Sequence, residues 1–223
     1  MNDTQNTDNH ASERHTHASL LWLDIETSGL DRTDDFIMEI FARATNDMLE
    51  QVGVRDFHAL IRTVGPGSMV ESFKRMIDTP KVLDMHARNG LLSELAASDG
   101  QAPVMTLSSA QKKFRSFVEE AHSKSKVVDD ERKRLSLAGS SVDFDRGFLV
   151  EKGFISSNDK AISHRVLDVS SLMVGMTTLG WEFDRVSDTA HRAKDDALAS
   201  LDTFKRLRGK LQRPGSSDRI ITL

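Results

Sequence analysis

Apolar residues along this chain change their spacing part-way through. The first ordered stretch, residues 19–26, opens on an unbroken apolar run, Leu20, Leu21, Trp22 and Leu23, and reads as a central strand. FIMEIFARAT, residues 36–45, reads as a second strand and residues 50–62 as a third, with Asn46-Asp47 marking a hairpin turn between them. VGPGS, residues 64–68, closes this meander. Apolar spacings of three and four then take over in SFKRMI and PKVLDMHARNGLLSEL, which predicts a helical region, and SDGQAP, residues 98–103, is a loop.

Ser108 and Gln111 read as a capping-box pair that opens the next helix, whose inner face is Ala110, Phe114, Phe117, Val118 and Ala121. KSKVVDDERK is a charged connection with little structural signal. RLSLAGSS reads as a strand entering a small-residue turn, and DFDRGFLVEKG as a short helix stopped by Gly153. HRVLDVSSLMVG passes from strand to helix. The last helix is AKDDALASLDTFKRLRGKL, with Ala197, Leu198, Leu201, Phe204 and Leu207 inward. A strand meander followed by alternating strands and helices implies an α/β fold, a mixed β-sheet flanked by α-helices. Sites in such sheets gather at strand ends.

The flanks differ in character. Residues 1–18 are polar and aperiodic and read as a disordered tail; metal binding by His10, His15 and His17 is the lesser alternative to a solvated tail. Residues 19–212 form one domain, and 213–223 a C-terminal tail beginning RPGSSDR. The 223-residue chain is 38% hydrophobic and 29% charged, ordinary for a soluble protein. Its net charge of −4 offers no global field for a long nucleic-acid duplex, yet permits a short nucleic acid in a local site. Cysteine is absent, which rules out disulfides and thiolate metal sites. With no membrane-length apolar run and no signal-peptide core, a cytoplasmic protein without a membrane partner is expected.

Against that background two acids in the apolar strand, Asp24 and Glu26, need explaining. Side chains two apart on a strand share a face, so two carboxylates sit side by side at the strand's end. A shared proton at a raised pKa would relieve the repulsion; so would a divalent cation, which suits hard oxygen ligands. Further acids stand where they could converge: Asp143 and Asp145 where a strand gives way to a helix, and His191, Asp195 and Asp196 near the start of the last helix. Each alone is an ordinary helix-start acid. Four acids and a histidine at positions next to the sheet form a more specific set.

Taken in order, LWLDIETSGLD, LAGSSVDFDRGFL, HRVLDVSSL and AHRAKDDALAS resemble the successive motifs of the oligoribonucleases, 3′-to-5′ exonucleases of the four-acids-plus-histidine kind. The resemblance covers roughly residues 19–208, loosely over 64–135. It implies a ribonuclease H-like fold. It implies that Asp24, Glu26, Asp145 and Asp196 are catalytic and bind two Mg²⁺ or Mn²⁺ ions, with His191 as general base. Asp143 and Asp195 become bystanders. By the same resemblance Leu30 wedges against a terminal base, while Ser141, Arg165 and Ser170 lie near the substrate's 5′-phosphate.

Three positions depart from the family pattern. Met85, in DMHARNG, stands in the place of a tryptophan; it offers a base a soft apolar surface without ring stacking. His164 stands where the family has a tyrosine reaching across a dimer, and could donate to phosphate. Ser140 stands where an asparagine is usual. The expected substrate is short single-stranded RNA or a nucleotide dimer, with single-stranded DNA or longer RNA ends as the alternative, and a homodimer is the implied assembly. A nuclease-like module that binds without cutting would have lost one of the metal-binding acids, and all are present.

Overall fold

A computed structural model describes residues 17–62, 74–97, 103–128, 131–184, 191–211 and 220–222. The proposed meander end at 64–68 and the loop at 98–102 lie outside these residues. Strands β1 (Leu20–Thr27), β2 (Ile37–Thr45) and β3 (Phe57–Ile61) form the antiparallel meander. The third strand is shorter than the apolar pattern implied. It begins at Phe57 because Asn46 first closes a turn, its side-chain oxygen accepting from the backbone N–H of Met48 and Glu50, each at 2.9 Å.

The helical region resolves into α1 (Pro80–Arg88) and α2 (Leu91–Ala97), separated at Gly90, whose φ of +82° suits a residue without a Cβ. After β4 (Val104–Met105) comes α3 (Leu107–Ser123), with the expected buried face Ala110, Phe114, Phe117, Val118 and Ala121. Its cap is not the Ser108–Gln111 pair. Thr106 is the N-cap, accepting from the Ser109 N–H, while Gln111 donates to the Lys152 carbonyl at 2.6 Å. The helix therefore starts earlier than that pairing required.

The charged connection carries a small hairpin, β5 (Val127–Val128) and β6 (Glu131–Arg132). Then follow β7 (Leu135–Gly139), α4 (Val142–Glu151), β8 (Ile162–Asp168), α5 (Val169–Thr178), β9 (Glu182–Asp184), α6 (Ala193–Leu211) and β10 (Ile220–Thr222). Two tail assignments change, one at its inner end and one near the chain's far end. Ala18 is buried and bridges Ser125, and β10, assigned from sequence to a tail, pairs in parallel with β9.

The main sheet has six strands in the order β4-β3-β2-β1-β7-β8. β1 lies at its centre, antiparallel to β2 and parallel to β7. Leu21, Leu23 and Ile25 point to the face covered by α3 and α4, where Phe57, Phe114, Phe117 and Phe154 stack edge-on or tilted. Trp22 points the other way, into a cluster with Val169 and Met176 of α5 and Leu201 and Leu207 of α6. Burying each such large apolar side chain stabilises the fold by about 1.5–3 kcal/mol. The alternation fixes the site: Asp24 and Glu26 follow Trp22 onto the face that α6 covers.

Candidate active site

Where β1 and β7 part, the acids converge. Their parallel ladder ends at Trp22↔Ala138. Beyond it Gly139 passes so close to β1 that a Cβ there would lie 2.6 Å from the Leu23 carbonyl oxygen. The Ile25 N–H, past the end of the ladder, is taken by Asp145, which reaches from the first turn of α4 to accept it at 3.0 Å. From the opposite side α6 brings Asp196. Ligand oxygens of Asp24, Glu26 and Asp196 all lie within 4.8 Å of one another. Asp145 is outside that trio and joins it through the β1 backbone. Asp143 and Asp195 are exposed.

Burial and mutual repulsion push these carboxyls up. For Asp24 burial is the largest cause, followed by the charges of Asp145, Glu26 and Asp196. Glu26 is pushed up to about 9, by burial and then by Asp196 and Glu39. Asp145 is pushed up to about 8 by burial, against the pull of the Ile25 N–H. Asp196 rises to about 6, again by burial, with His191 pulling the other way. Among the described residues, Asp196 Oδ1 is buried without a hydrogen-bond partner. Unpaired buried oxygens of this kind are costly unless a cation or proton meets them.

His191 is exposed and adopts a left-handed φ of 48°, and its carbonyl accepts a hydrogen bond from the Asn89 side chain. Leu30 stands 76% exposed at the tip of the loop leaving β1. Asp35 holds that loop, accepting from Ser28 Oγ at 3.0 Å and the Asp31 N–H at 2.9 Å, and its carboxylate fills the space a Cβ on Gly29 would need. At the ends of β7 and β8, Asp168 accepts from the Ser141 N–H at 3.4 Å and the Ser171 N–H at 2.9 Å; Ser170 lies in the first turn of α5. Arg165 and His164 are exposed on β8, the edge strand. Met85 is half-buried on α1.

Two features went unread in the sequence. His86, next to Met85, is fully buried, its Nε2 at 2.9 Å from the Thr27 carbonyl oxygen and its Nδ1 at 3.9 Å from Glu26. Burial holds this imidazole below its ordinary pKa. The second is Glu39, paired in register with Glu26 and fully buried. Burial alone would push its carboxyl up; hydrogen bonds from His58 and Arg192 outweigh that and hold it below the usual carboxylate range. A lone acid in IMEIF was the available signal, the same one that drew attention to Asp24.

Among solved structures, the zinc-ion-bound Escherichia coli ExoI–ssDNA complex superposes with a TM-score of 0.54 at 13% identity, covering 88% of this chain and 42% of that one. E. coli exonuclease I in complex with a dT13 oligonucleotide gives 0.52, again at 13% identity, covering 87% and 42%. The fold is therefore the ribonuclease H-like one of these exonucleases, a mixed sheet flanked by helices.

No family model matches the chain. Its curated relatives narrow the class. The oligoribonuclease of Streptomyces avermitilis is 32% identical over 153 residues, 69% of this chain and 65% of the relative. That of Mycobacterium tuberculosis (strain ATCC 25177 / H37Ra) is 30% identical over 153 residues, covering 69% and 61%. The chain is a homologue of the oligoribonucleases, and it spans about 65% of the length of the first of them.

Proposed function

We propose that this protein is a divalent-metal-dependent 3′-to-5′ exoribonuclease that hydrolyses short single-stranded RNA. The observation that carries the reading is the meeting of Asp24, Glu26 and Asp196 within 4.8 Å, with Asp145 bonded to the intervening Ile25 N–H. This donor set fits Mg²⁺ or Mn²⁺: it is all oxygen, crowded with like charge, and includes the partnerless buried Asp196 Oδ1. Two such ions, when bound, supply positive charge to both the attacking and the leaving oxygen of an in-line displacement.

The chain's own groups do the rest. Asp24, Glu26, Asp145 and Asp196 hold the cations. His191, exposed at the mouth, accepts the proton of the attacking water, a task an imidazole nitrogen can perform. Ser141, Ser170, Arg165 and His164 meet the substrate's 5′-phosphate. Leu30 and Met85 meet its bases, with His86 behind Met85. The absence of tyrosine removes a ring from this grip, so length preference is the looser part of the proposal. A homodimer is the assembly the motif resemblance implies, and size-exclusion chromatography with light scattering tests it. No helix among the described residues is long and apolar enough to cross a membrane.

A second reading, trimming of single-stranded DNA, draws on the exonuclease I neighbours, whose titles name ssDNA and dT13 complexes. One assay separates the two: 5′-labelled ribodinucleotide, 20-mer RNA and single-stranded DNA, each with Mg²⁺. The proposal expects the dinucleotide to be cut fastest and the products to shorten from the 3′ end. A dinucleotide cut slowest of the three, or cleavage from the 5′ end, would overturn it.

A further inference from the structure

Beside the acidic cluster lies a second charged network that is fully provided with partners. Arg192, between His191 and Ala193, forks toward two carboxylates. Its Nε and Nη2 meet Glu39 at 2.9 and 3.2 Å, and its Nη1 and Nη2 meet Glu94 at 2.9 and 3.0 Å. Glu39 belongs to the sheet, on β2, and also receives the Ala193 N–H at 3.3 Å and His58 Nε2 at 2.7 Å. Glu94 belongs to α2. Arg192 Nη1 also reaches the Asn89 carbonyl at 3.4 Å, and the Asn89 side chain returns a bond to the His191 carbonyl. One guanidinium thus joins three pieces: the sheet, the start of α6 that carries His191 and Asp196, and the α1–α2 hairpin that carries Met85 and His86. A planar fork can bridge two carboxylates in this way; a lysine ammonium, a point charge, cannot hold the same geometry.

The two arms of the fork are unequal in kind. The Glu39 arm is buried at its carboxylate, so removing it leaves the partly buried Arg192 and His58 without that acceptor. Glu94 has 26% of its side chain exposed, so its removal opens only the outer arm. That outer arm is the ion-paired link from α2 to the His191 loop. Leu91 and Leu95 anchor α2 by packing with Met38, Leu60 and Met76, and Arg62 donates to the Leu95 and Ala96 carbonyls; these contacts hold α2 to the sheet, while Glu94 ties it to the start of α6.

We propose that Glu94 is a positioning residue. Through Arg192 it seats the α1–α2 hairpin against the start of α6, and so sets the wall of the site against which the substrate lies. The kinetic half of this inference rests on the exonuclease reading; the structural half does not.

Two measurements on Glu94→Ala test it. Hydrogen exchange should speed up about tenfold across residues 80–97 and stay unchanged in β1 and β2, as expected for local release of one unit. With wild-type cleavage of the dinucleotide established, KM should rise about tenfold, the scale of one lost charge-assisted fork, with kcat changed less than about twofold. Glu94→Gln, which can still accept one hydrogen bond, should fall between. In an Arg192→Lys background Glu94→Ala should add nothing, since the fork is already lost.

Unchanged exchange in 80–97, or exchange raised equally throughout the sheet, overturns the proposal. So does a KM equal to wild type, a loss confined to kcat, or an undiminished effect in the Arg192→Lys background. If the wild-type protein cuts none of the three substrates, the functional reading fails while the exchange experiment still decides whether Glu94 seats the hairpin.

Discussion

Glu26 and Glu39 face each other across one rung of the β1–β2 ladder, both buried, yet their carboxyls are driven in opposite directions. Glu39 is met by Arg192, His58 and a backbone N–H, and is held below the usual range. Glu26 shares its surroundings with Asp24 and Asp196 and is pushed up to about 9. Burial is common to both; the partners differ. An acid whose charge the protein itself balances is part of the framework. An acid crowded by others of its kind is built to receive charge from outside, as a proton or a cation.

Substitutions on the two sides of this rung should therefore differ in sign. The largest effect is expected from neutralising the crowded side. Asp24→Asn and Asp196→Asn should lower kcat by about 10³-fold or more, because the metal-holding set is broken, while raising the melting temperature of the metal-free protein by relieving repulsion. Activity assays and calorimetric melts read both. Glu39→Gln should do the reverse to stability. It leaves the partly buried Arg192 and His58 with an incomplete partner and should cost about 3 kcal/mol in denaturant unfolding.

The acidic side also predicts a pH dependence. Glu26, Asp145 and Asp196 have folded pKa values of about 9, 8 and 6, above their ordinary values of 4.5, 3.8 and 3.8. Above those ordinary values the folded state binds more protons than the unfolded one, so stability is full in acid and falls as pH rises through 6, 8 and 9. Metal-free protein should melt lower at pH 9 than at pH 5.5, by about 5 °C or more, and millimolar Mn²⁺ should remove most of the difference. A flat profile from pH 5.5 to 9 would contradict the crowding. The smallest effect belongs to the rim. Leu30→Ala should leave stability unchanged, because the side chain is exposed, and raise KM for a dinucleotide about threefold through lost apolar contact.

The sequence made one side of this rung readable and hid the other, for a physical reason. Asp24 and Glu26 stood out because two acids end an apolar run, and the resemblance to the oligoribonuclease motifs then pointed to Asp145 and Asp196 as partners. Asp145 is buried and Asp143 exposed. Glu39 also interrupts an apolar strand. Its balancing partner, Arg192, lies 153 residues away, and no local pattern records that pairing. His86 was passed over because an isolated histidine in a helix gives no sign that it packs under the Thr27 carbonyl. The cap of α3 and the pairing of β10 were missed for a lesser version of the same cause. One turned on a residue two places upstream, the other on a strand partner across the chain.

The central claim is that the crowded carboxylates hold divalent cations. Titrating metal-free protein with Mn²⁺ in a calorimeter at pH 7.5, in two buffers of different ionisation enthalpy, tests it most directly. Wild type should bind Mn²⁺ and release protons as it does so, and Asp24→Asn should lose that binding while keeping its fold. Mn²⁺ binding of equal affinity in both proteins, or none in the wild type, would contradict the account.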